Sequence, residues 1–145
     1  MKFLKLISLI LVLFVCLCVF IQLLPIGRIH TNPPVVSEPN WDSSITRGLA
    51  KRACFDCHSN ETVWPWYSYI APVSWLVYND VREGRQSLNF SEWNRPQGGE
   101  ADEAPEIVME GEMPPAQYLL THHNAKLTSA EREQLARGLQ LTLGQ

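Results

Sequence analysis

Five consecutive residues, Cys54-Phe55-Asp56-Cys57-His58, contain two thiols and an imidazole. Their spacing allows all three groups to bind the same molecule. Residues three apart share a face of a helical turn, so the thiols of Cys54 and Cys57 can point the same way. Two thiols so placed reach the two vinyl groups of one porphyrin, and the next residue, His58, then binds the iron. This pattern is the attachment sequence of a c-type haem. We therefore expect one haem c, with Cys54 and Cys57 as thioethers and His58 as the proximal iron ligand.

Two other chemistries use the same residue types. A redox dithiol of the thioredoxin kind belongs to a βαβ context, and no part of this sequence alternates convincingly with a period of two. A zinc ion would need two histidines beside Cys54 and Cys57, but His122 and His123 are adjacent and cannot easily both enter one tetrahedral site. A purely structural cysteine pair leaves His58 unexplained.

The second axial position of the iron has two candidates. Met113 lies in Gly111-Glu112-Met113-Pro114-Pro115, on a loop that the prolines hold extended. A thioether on such a loop completes the iron in Met/His cytochromes, although most methionines simply pack. Met109 is a poorer candidate because it falls within a predicted helix. We expect Met113 to be the distal ligand, with His122 as the alternative because ligation by two histidines is chemically ordinary.

The N-terminal segment is predicted to cross a membrane. Between Leu6 and Leu24, 17 of 19 residues are apolar, and at 1.5 Å per residue they span roughly 28 Å, close to the ~30 Å of a bilayer core. Lys2 and Lys5 precede this run, which places the N-terminus in the cytoplasm. No Ala-x-Ala cleavage site follows the run. We therefore predict an uncleaved single-pass anchor at 1–28 in the inner membrane, with the rest of the chain in the periplasm.

The charge of the chain is divided unevenly. Residues 1–28 carry three basic and no acidic side chains, whereas residues 29–145 carry nine basic and fifteen acidic ones, a net charge of −6. A nucleic-acid-binding protein needs a basic surface, so that class is excluded. Six acids and no base occur between Glu100 and Glu112. This run either guides a basic redox partner, which the sequence does not identify, or forms a solvated helix face.

The remaining pattern predicts an all-α domain at 41–145, after a proline-rich linker at 29–40. Four-residue apolar spacing predicts a helix from about Asp42 to Ala53, which Asp42 or Ser43 can cap. A second helix is expected to begin at Pro72 and to end at Gly84, and a short one from Asp102 to Glu110 is expected to stop at Gly111. Thr128 and Glu131 form a capping box that begins the last helix. We expect this small helical domain to surround the haem.

Several side chains are candidates to support the haem. The aromatic run Trp64–Tyr69 either walls the haem crevice or forms ordinary core. Arg52, Arg82 and Arg85 could pair with the haem propionates. The second nitrogen of His58 should donate to a backbone carbonyl, for which the backbone near Pro65 or Pro72 is a candidate.

Together these residues resemble the small mono-haem cytochromes c, and more closely a bacterial family of haem-binding domains. The resemblance covers Trp41 to Leu139, and Cys54 to Ser68 match it as Cys-x-x-Cys-His-Ser-Asn-x-Thr-x-Trp-Pro-Trp-Tyr-Ser. Pro72-Val73-Ser74-Trp75 and Gly111 to Tyr118 also match, while His123 stands where a proline is expected. The resemblance implies haem attachment through Cys54 and Cys57 and iron ligation by His58.

Three functions are compatible with this sequence. The first is a membrane-anchored mono-haem c-type cytochrome that carries single electrons on the periplasmic face and is not itself an enzyme. The second is a haem-based sensor or small haem enzyme whose sixth ligand can be displaced. The third is a metal-binding or interaction module without haem.

Overall fold

The regular structure of the protein is helical. The computed structural model describes residues 2–99 and 101–144, and the α-helices within them are α1 Lys2–Gln22, α2 Ser44–Ala53, α3 Phe55–His58, α4 Val73–Ser87, α5 Ala104–Glu110, α6 Ala116–Leu119 and α7 Ser129–Leu143. Short 3-10 helices occupy Trp66–Tyr69, Ala101–Glu103 and His123–Ala125. These described residues form no strand, and Ser37 makes one isolated bridge to Glu92. The all-α prediction is confirmed.

The chain forms two compact units. The first consists of the residues up to His30 together with Trp64–Asn79, and the second of Thr31–Val63 together with the residues from Asp80 onwards. In the first unit, α1 has 21 residues and no buried side chain, and an 18-residue stretch within it has a mean hydropathy of 3.0. It is therefore long and apolar enough to cross a membrane.

The C-terminal end of α1 and the residues after it are joined to Trp64–Asn79 by specific contacts. The Gln22 side chain donates to the Ala71 carbonyl (2.9 Å) and accepts from the Ala71 N–H (3.0 Å). Gly27 has a φ of +67°, and a Cβ there would lie 2.6 Å from the Ser74 carbonyl oxygen. The close approach of the two backbones therefore requires glycine at this position.

The core of the second unit lies around α7. Helices α2 and α5 both pack against α7, and they bury Leu49, Val108, Leu135 and Leu139. The aromatic rings of Phe55 and Phe90 stack beside this cluster with centroids 5.6 Å apart. This core supports the segment that contains the two closely spaced cysteines, because Phe55 is part of that segment.

The helix ends agree with the predicted capping residues at three positions. Ser43, one of the two predicted caps, begins α2 by accepting from the Thr46 N–H. The capping box of Thr128 and Glu131 begins α7, and Gly111 ends α5 with a φ of +82°. These ends depend on local hydrogen bonds, which explains why the sequence predicted them.

The proline-rich segment before α2 is extended and hydrogen-bonded within the second unit. The N–H groups of Val36 and Ser37 donate to the Ser91 carbonyl at 2.9 and 3.2 Å. The Glu38 carboxylate accepts from Arg47, which lowers the pKa of Glu38 below its usual value. Part of the predicted linker is therefore held against the helical unit.

Two glycine substitutions test the packing of α2 against α7. A Cβ at Gly138 would overlap Thr46 Oγ1 and lie 2.6 Å from Thr46 Cγ2, a side chain that is fully buried. We expect Gly138→Ala to lower the free energy of unfolding by about 1–3 kcal/mol, as overpacking does. Gly48→Ala is the control, because a Cβ at Gly48 in α2 meets nothing within 4 Å.

The control should raise the free energy of unfolding by about 0.5–1 kcal/mol through its higher helix propensity. Urea unfolding of the full chain in detergent micelles, followed by far-UV circular dichroism, measures both changes. A Gly138→Ala variant as stable as the wild type would contradict this account of the α2–α7 contact.

Candidate functional site

The motif with the two thiols forms one helical turn directly after α2. The N–H of Cys54 donates to the Ala50 carbonyl at 2.8 Å, which continues α2 into the motif. The N–H groups of Cys57 and His58 both donate to the Cys54 carbonyl, at 3.1 and 2.9 Å. Burial of Phe55 in the core fixes the turn, so the other residues of the motif are held at one wall of a cavity.

A cavity of about 390 Å³ brings the main predicted site residues together. Its volume lies within the range of about 300–1,000 Å³ that is typical of small-molecule sites. Cys54, Cys57, His58 and Met113 all line it. The apolar side chains that complete its wall include Ala53, Leu88, Phe90, Ile107, Val108, Pro114 and Leu139.

The imidazole of His58 is oriented by a backbone carbonyl. Its Nδ1 lies 3.1 Å from the Leu88 oxygen, and because a carbonyl can only accept, Nδ1 carries the proton and Nε2 has a free lone pair. Burial lowers the pKa of His58, so the ring stays neutral at physiological pH. The predicted partner near Pro65 or Pro72 was wrong, because the C-terminal end of α4 presents Leu88 instead.

The two residues that carry the thiols are half-buried. Cys54 and Cys57 form no disulfide, and burial raises the pKa of each to about 12, assisted at Cys57 by the negative charges of Asp80 and Asp56. A redox dithiol needs a depressed thiol pKa, because the thiolate is the nucleophile. This environment is therefore opposite to that of a thioredoxin-like site.

The histidine pair lies elsewhere in the second unit. His122 Nδ1 is 3.1 Å from the Tyr118 carbonyl oxygen, and its ring stacks on the Tyr118 ring at 4.0 Å. His122 does not line the cavity that contains His58. Across the described ranges 2–99 and 101–144, no three His, Cys, Asp or Glu side chains are grouped so that they could hold a metal ion.

One functional contact was missed by the sequence interpretation. The Tyr118 hydroxyl donates to Asp56 Oδ2 at 2.7 Å, and the Val63 N–H donates to Asp56 Oδ1 at 2.9 Å. Asp56 and Tyr118 both line the cavity. This bond ties α6, which follows the Met113 loop, to the motif. No local signal indicates a contact between residues 62 apart in sequence.

The C-terminal half of α4 packs closely on the motif through Gly84. A Cβ at Gly84 would lie 2.6 Å from the Cys57 carbonyl oxygen and 3.0 Å from Cys57 Cβ. The prediction that Gly84 ends the helix was wrong, because α4 continues to Ser87. This glycine permits close approach of two backbones, and the approach brings Leu88 within reach of His58.

None of the arginines predicted to support the haem lines the cavity. Arg85 donates to the carbonyls of Ser59 and Thr31 at 2.7 and 3.0 Å, and Arg52 pairs with Glu131 at 2.6 Å. Arg82 forms its ion pair with Glu83 rather than with any group inside the cavity. The proposed pairing of the arginines with propionates therefore has no support in this geometry.

The acidic run forms an exposed face where the structure describes it. Glu100 lies outside the described residues, while the side chains of Asp102, Glu103, Glu106, Glu110 and Glu112 are exposed. The acids that line the cavity are instead Asp56, Asp80 and Glu83. Burial, with a smaller contribution from Glu83, raises the pKa of Asp80.

Comparison with known proteins gives one match. A family model described as a haem-binding domain matches residues 16–140, which include the motif, the cavity wall and most of α7. No curated protein and no solved structure matches the chain.

Substitution of Gly84 tests how the cavity is built. In Gly84→Ala the added methyl group would collide with the Cys57 backbone, and we expect a loss of about 1–3 kcal/mol in the free energy of unfolding. We also expect less haem per chain, because the Cys57 backbone and the end of α4 would move apart. The pyridine haemochrome assay measures haem content, and urea unfolding measures stability.

The control for this experiment is Gly99→Ala, since a Cβ at Gly99 meets nothing within 4 Å. Its haem content should equal that of the wild type. Equal haem content in the Gly84 and Gly99 variants would contradict the role assigned to the α4 contact.

Proposed function

This chain belongs to the haem-binding domain family, and we propose that it is a membrane-anchored mono-haem c-type cytochrome that transfers single electrons. One observation carries the proposal. Both thiols of the motif, the imidazole of His58 and the thioether of Met113 line a single cavity. These are the groups that attach a c-type haem and ligate its iron on both faces.

The donor set of the cavity fits a haem. The two thiols form no disulfide and lie on one helical turn. His58 Nε2 has a free lone pair because Nδ1 donates to the Leu88 carbonyl. The walls are mostly apolar, as a porphyrin requires. No competing disulfide or metal cluster is present in the part of the chain that the structure describes.

The thiols of Cys54 and Cys57 would form the covalent attachment. Each thiol adds across one vinyl C=C bond, with its sulfur bonding to one carbon and its hydrogen to the other. Addition therefore requires neither an oxidant nor a reductant. Helical spacing of three residues keeps both sulfurs on the same side of the turn during these two additions.

The axial groups would keep the coordination number constant. His58 would hold the iron through Nε2 and Met113 would hold it through its sulfur, and a thioether ligand raises the reduction potential. The bound haem supplies one-electron chemistry by cycling its iron between the ferrous and ferric states. With both axial positions held by side chains, little structure rearranges on electron transfer, which suits a carrier rather than a catalyst.

The anchor would place this chemistry outside the cytoplasm. Helix α1 can cross a membrane, and Lys2 and Lys5 at its start favour a cytoplasmic N-terminus. The haem-binding unit is then periplasmic at the inner membrane. Covalent haem attachment takes place on that side, which agrees with this orientation.

Substitution of the cysteines tests the attachment. Replacing both Cys54 and Cys57 with Ala should abolish covalent haem, whereas Cys54→Ala or Cys57→Ala should leave at most one thioether. Intact mass spectrometry of the mature chain and the pyridine haemochrome assay measure these outcomes. Cys16→Ala and Cys18→Ala are matched controls, because both residues lie in α1 and should not affect attachment.

A wild-type chain isolated after maturation with two free thiols and no added macrocycle would overturn the covalent attachment. Non-covalent haem in that chain would leave the family assignment intact. The two measurements together therefore separate haem binding from the c-type linkage.

Substitution of Met113 tests the distal ligand. We expect Met113→Ala to abolish the weak near-infrared sulfur-to-iron band of the oxidised protein, because the band requires a bound thioether. Met109→Ala is the matched control, since Met109 is also exposed but lies on α5 and does not line the cavity. Absence of this band in the wild type would contradict the assignment and favour His122.

Carbon monoxide distinguishes a carrier from a sensor. The reduced wild type should stay low-spin and bind carbon monoxide slowly, because Met113 occupies the distal position. Met113→Ala should bind it rapidly. Rapid binding by the wild type would overturn the carrier function and indicate a displaceable sixth ligand.

A further inference from the structure

One stretch of the first unit is uncharged and exposes large apolar side chains. We call residues 64–79 the uncharged segment, because they include no Asp, Glu, Lys, Arg or His. Five of its apolar or aromatic side chains are exposed: Trp66 at 75%, Tyr69 at 58%, Ile70 at 46%, Val73 at 42% and Leu76 at 53%. Exposed apolar groups concentrated in this way indicate a surface that contacts something other than water.

The uncharged segment is fixed to the C-terminal end of α1. Gln22, the last residue of α1, makes two hydrogen bonds to the backbone of Ala71, at 2.9 and 3.0 Å. Five residues after the helix, Gly27 approaches the backbone of Ser74. The His30 ring then packs against Trp64 and Tyr69 with centroids 4.4 and 4.3 Å apart. Successive contacts therefore hold the segment beside the chain as it leaves the helix.

These contacts set the depth of the segment relative to a membrane that α1 spans. The apolar run from Leu6 to Leu24 extends roughly 28 Å, which is close to the ~30 Å of a hydrocarbon core, so Gln22, two residues before the end of the run, lies near the outer boundary of that core. Because Ala71 is hydrogen-bonded to Gln22, its neighbours Ile70 and Val73 lie near the same boundary. Leu23 and Ile26, just beyond α1, are also exposed.

We propose that the exposed side chains of the uncharged segment insert into the outer headgroup region of the membrane that α1 crosses. The inference rests on the proposed anchor and adds a second contact with lipid. Trp and Tyr favour this region because one end of each ring is apolar and the other is polar. The absence of charged side chains favours the boundary between the headgroups and the acyl chains over a charged protein surface.

Lipid photo-crosslinking of the full haem-loaded chain tests this contact. The chain is placed in nanodiscs of phosphatidylcholine that includes lipid with a diazirine near the carboxyl end of its acyl chain. After illumination and proteolysis, mass spectrometry maps the lipid adducts. We expect adducts on the peptide that contains residues 66–76 as well as on α1.

Two variants sharpen the result. Trp66→Ser combined with Ile70→Ser should lose most adducts on the 66–76 peptide while keeping those on α1. Ile45→Ser is the matched control, because Ile45 is an exposed aliphatic residue of α2 outside the segment. It should leave adducts on 66–76 unchanged. An unchanged haem spectrum and circular dichroism confirm that each variant is folded.

The pattern of adducts separates failure of this inference from failure of the anchor. Adducts on α1 but none on 66–76 in the wild type would overturn the lipid contact and retain the anchor. No adducts on α1 would overturn the anchor and the inference together. Crosslinks from 66–76 to a second protein chain, without lipid adducts, would identify the surface as a protein interface and overturn the proposal.

Discussion

The hydrogen bond between His58 Nδ1 and the Leu88 carbonyl determines what the cavity can do. An imidazole can bind a metal only through a nitrogen without a proton, and this bond fixes the proton on Nδ1. The main chain of His58 is held by the same loop, because its carbonyl accepts from the Phe90 N–H at 2.9 Å. The orientation of the ring therefore depends on where α4 ends, which in turn depends on the contact of Gly84 with Cys57.

A buried polar network keeps the two loops beside His58 in register. The Asn89 side chain donates to Asn60 Oδ1 at 3.0 Å, and the Asn60 N–H donates to Ser91 Oγ at 2.9 Å. All three residues are almost fully buried. Buried polar groups are costly unless they are hydrogen-bonded, so this network favours one pairing of the loops over all others. The same pairing places the Leu88 carbonyl oxygen within hydrogen-bond distance of His58.

Local features of the sequence predicted more of the fold than of the site. The capping box at Thr128 and the glycine end at Gly111 were correct because neighbouring residues decide them. The partner of His58 was missed because a backbone carbonyl 30 residues away leaves no trace in side-chain composition. Gly84 was misinterpreted because a glycine that ends a helix and a glycine that permits close packing look identical in sequence. Both of these features depend on contacts between residues that are far apart in the sequence.

The Asp56 carboxylate links two segments of the second unit, because each of its oxygens accepts one hydrogen bond. One accepts from the backbone after the motif, at Val63, and the other from Tyr118 on α6. Rotation of this carboxylate to follow one partner would weaken its bond to the other. The Asp56 carboxylate therefore couples the position of α6, which follows the Met113 loop, to that of the loop after His58. A change that weakens either hydrogen bond of Asp56 would therefore alter the position of the partner on the other side of the cavity.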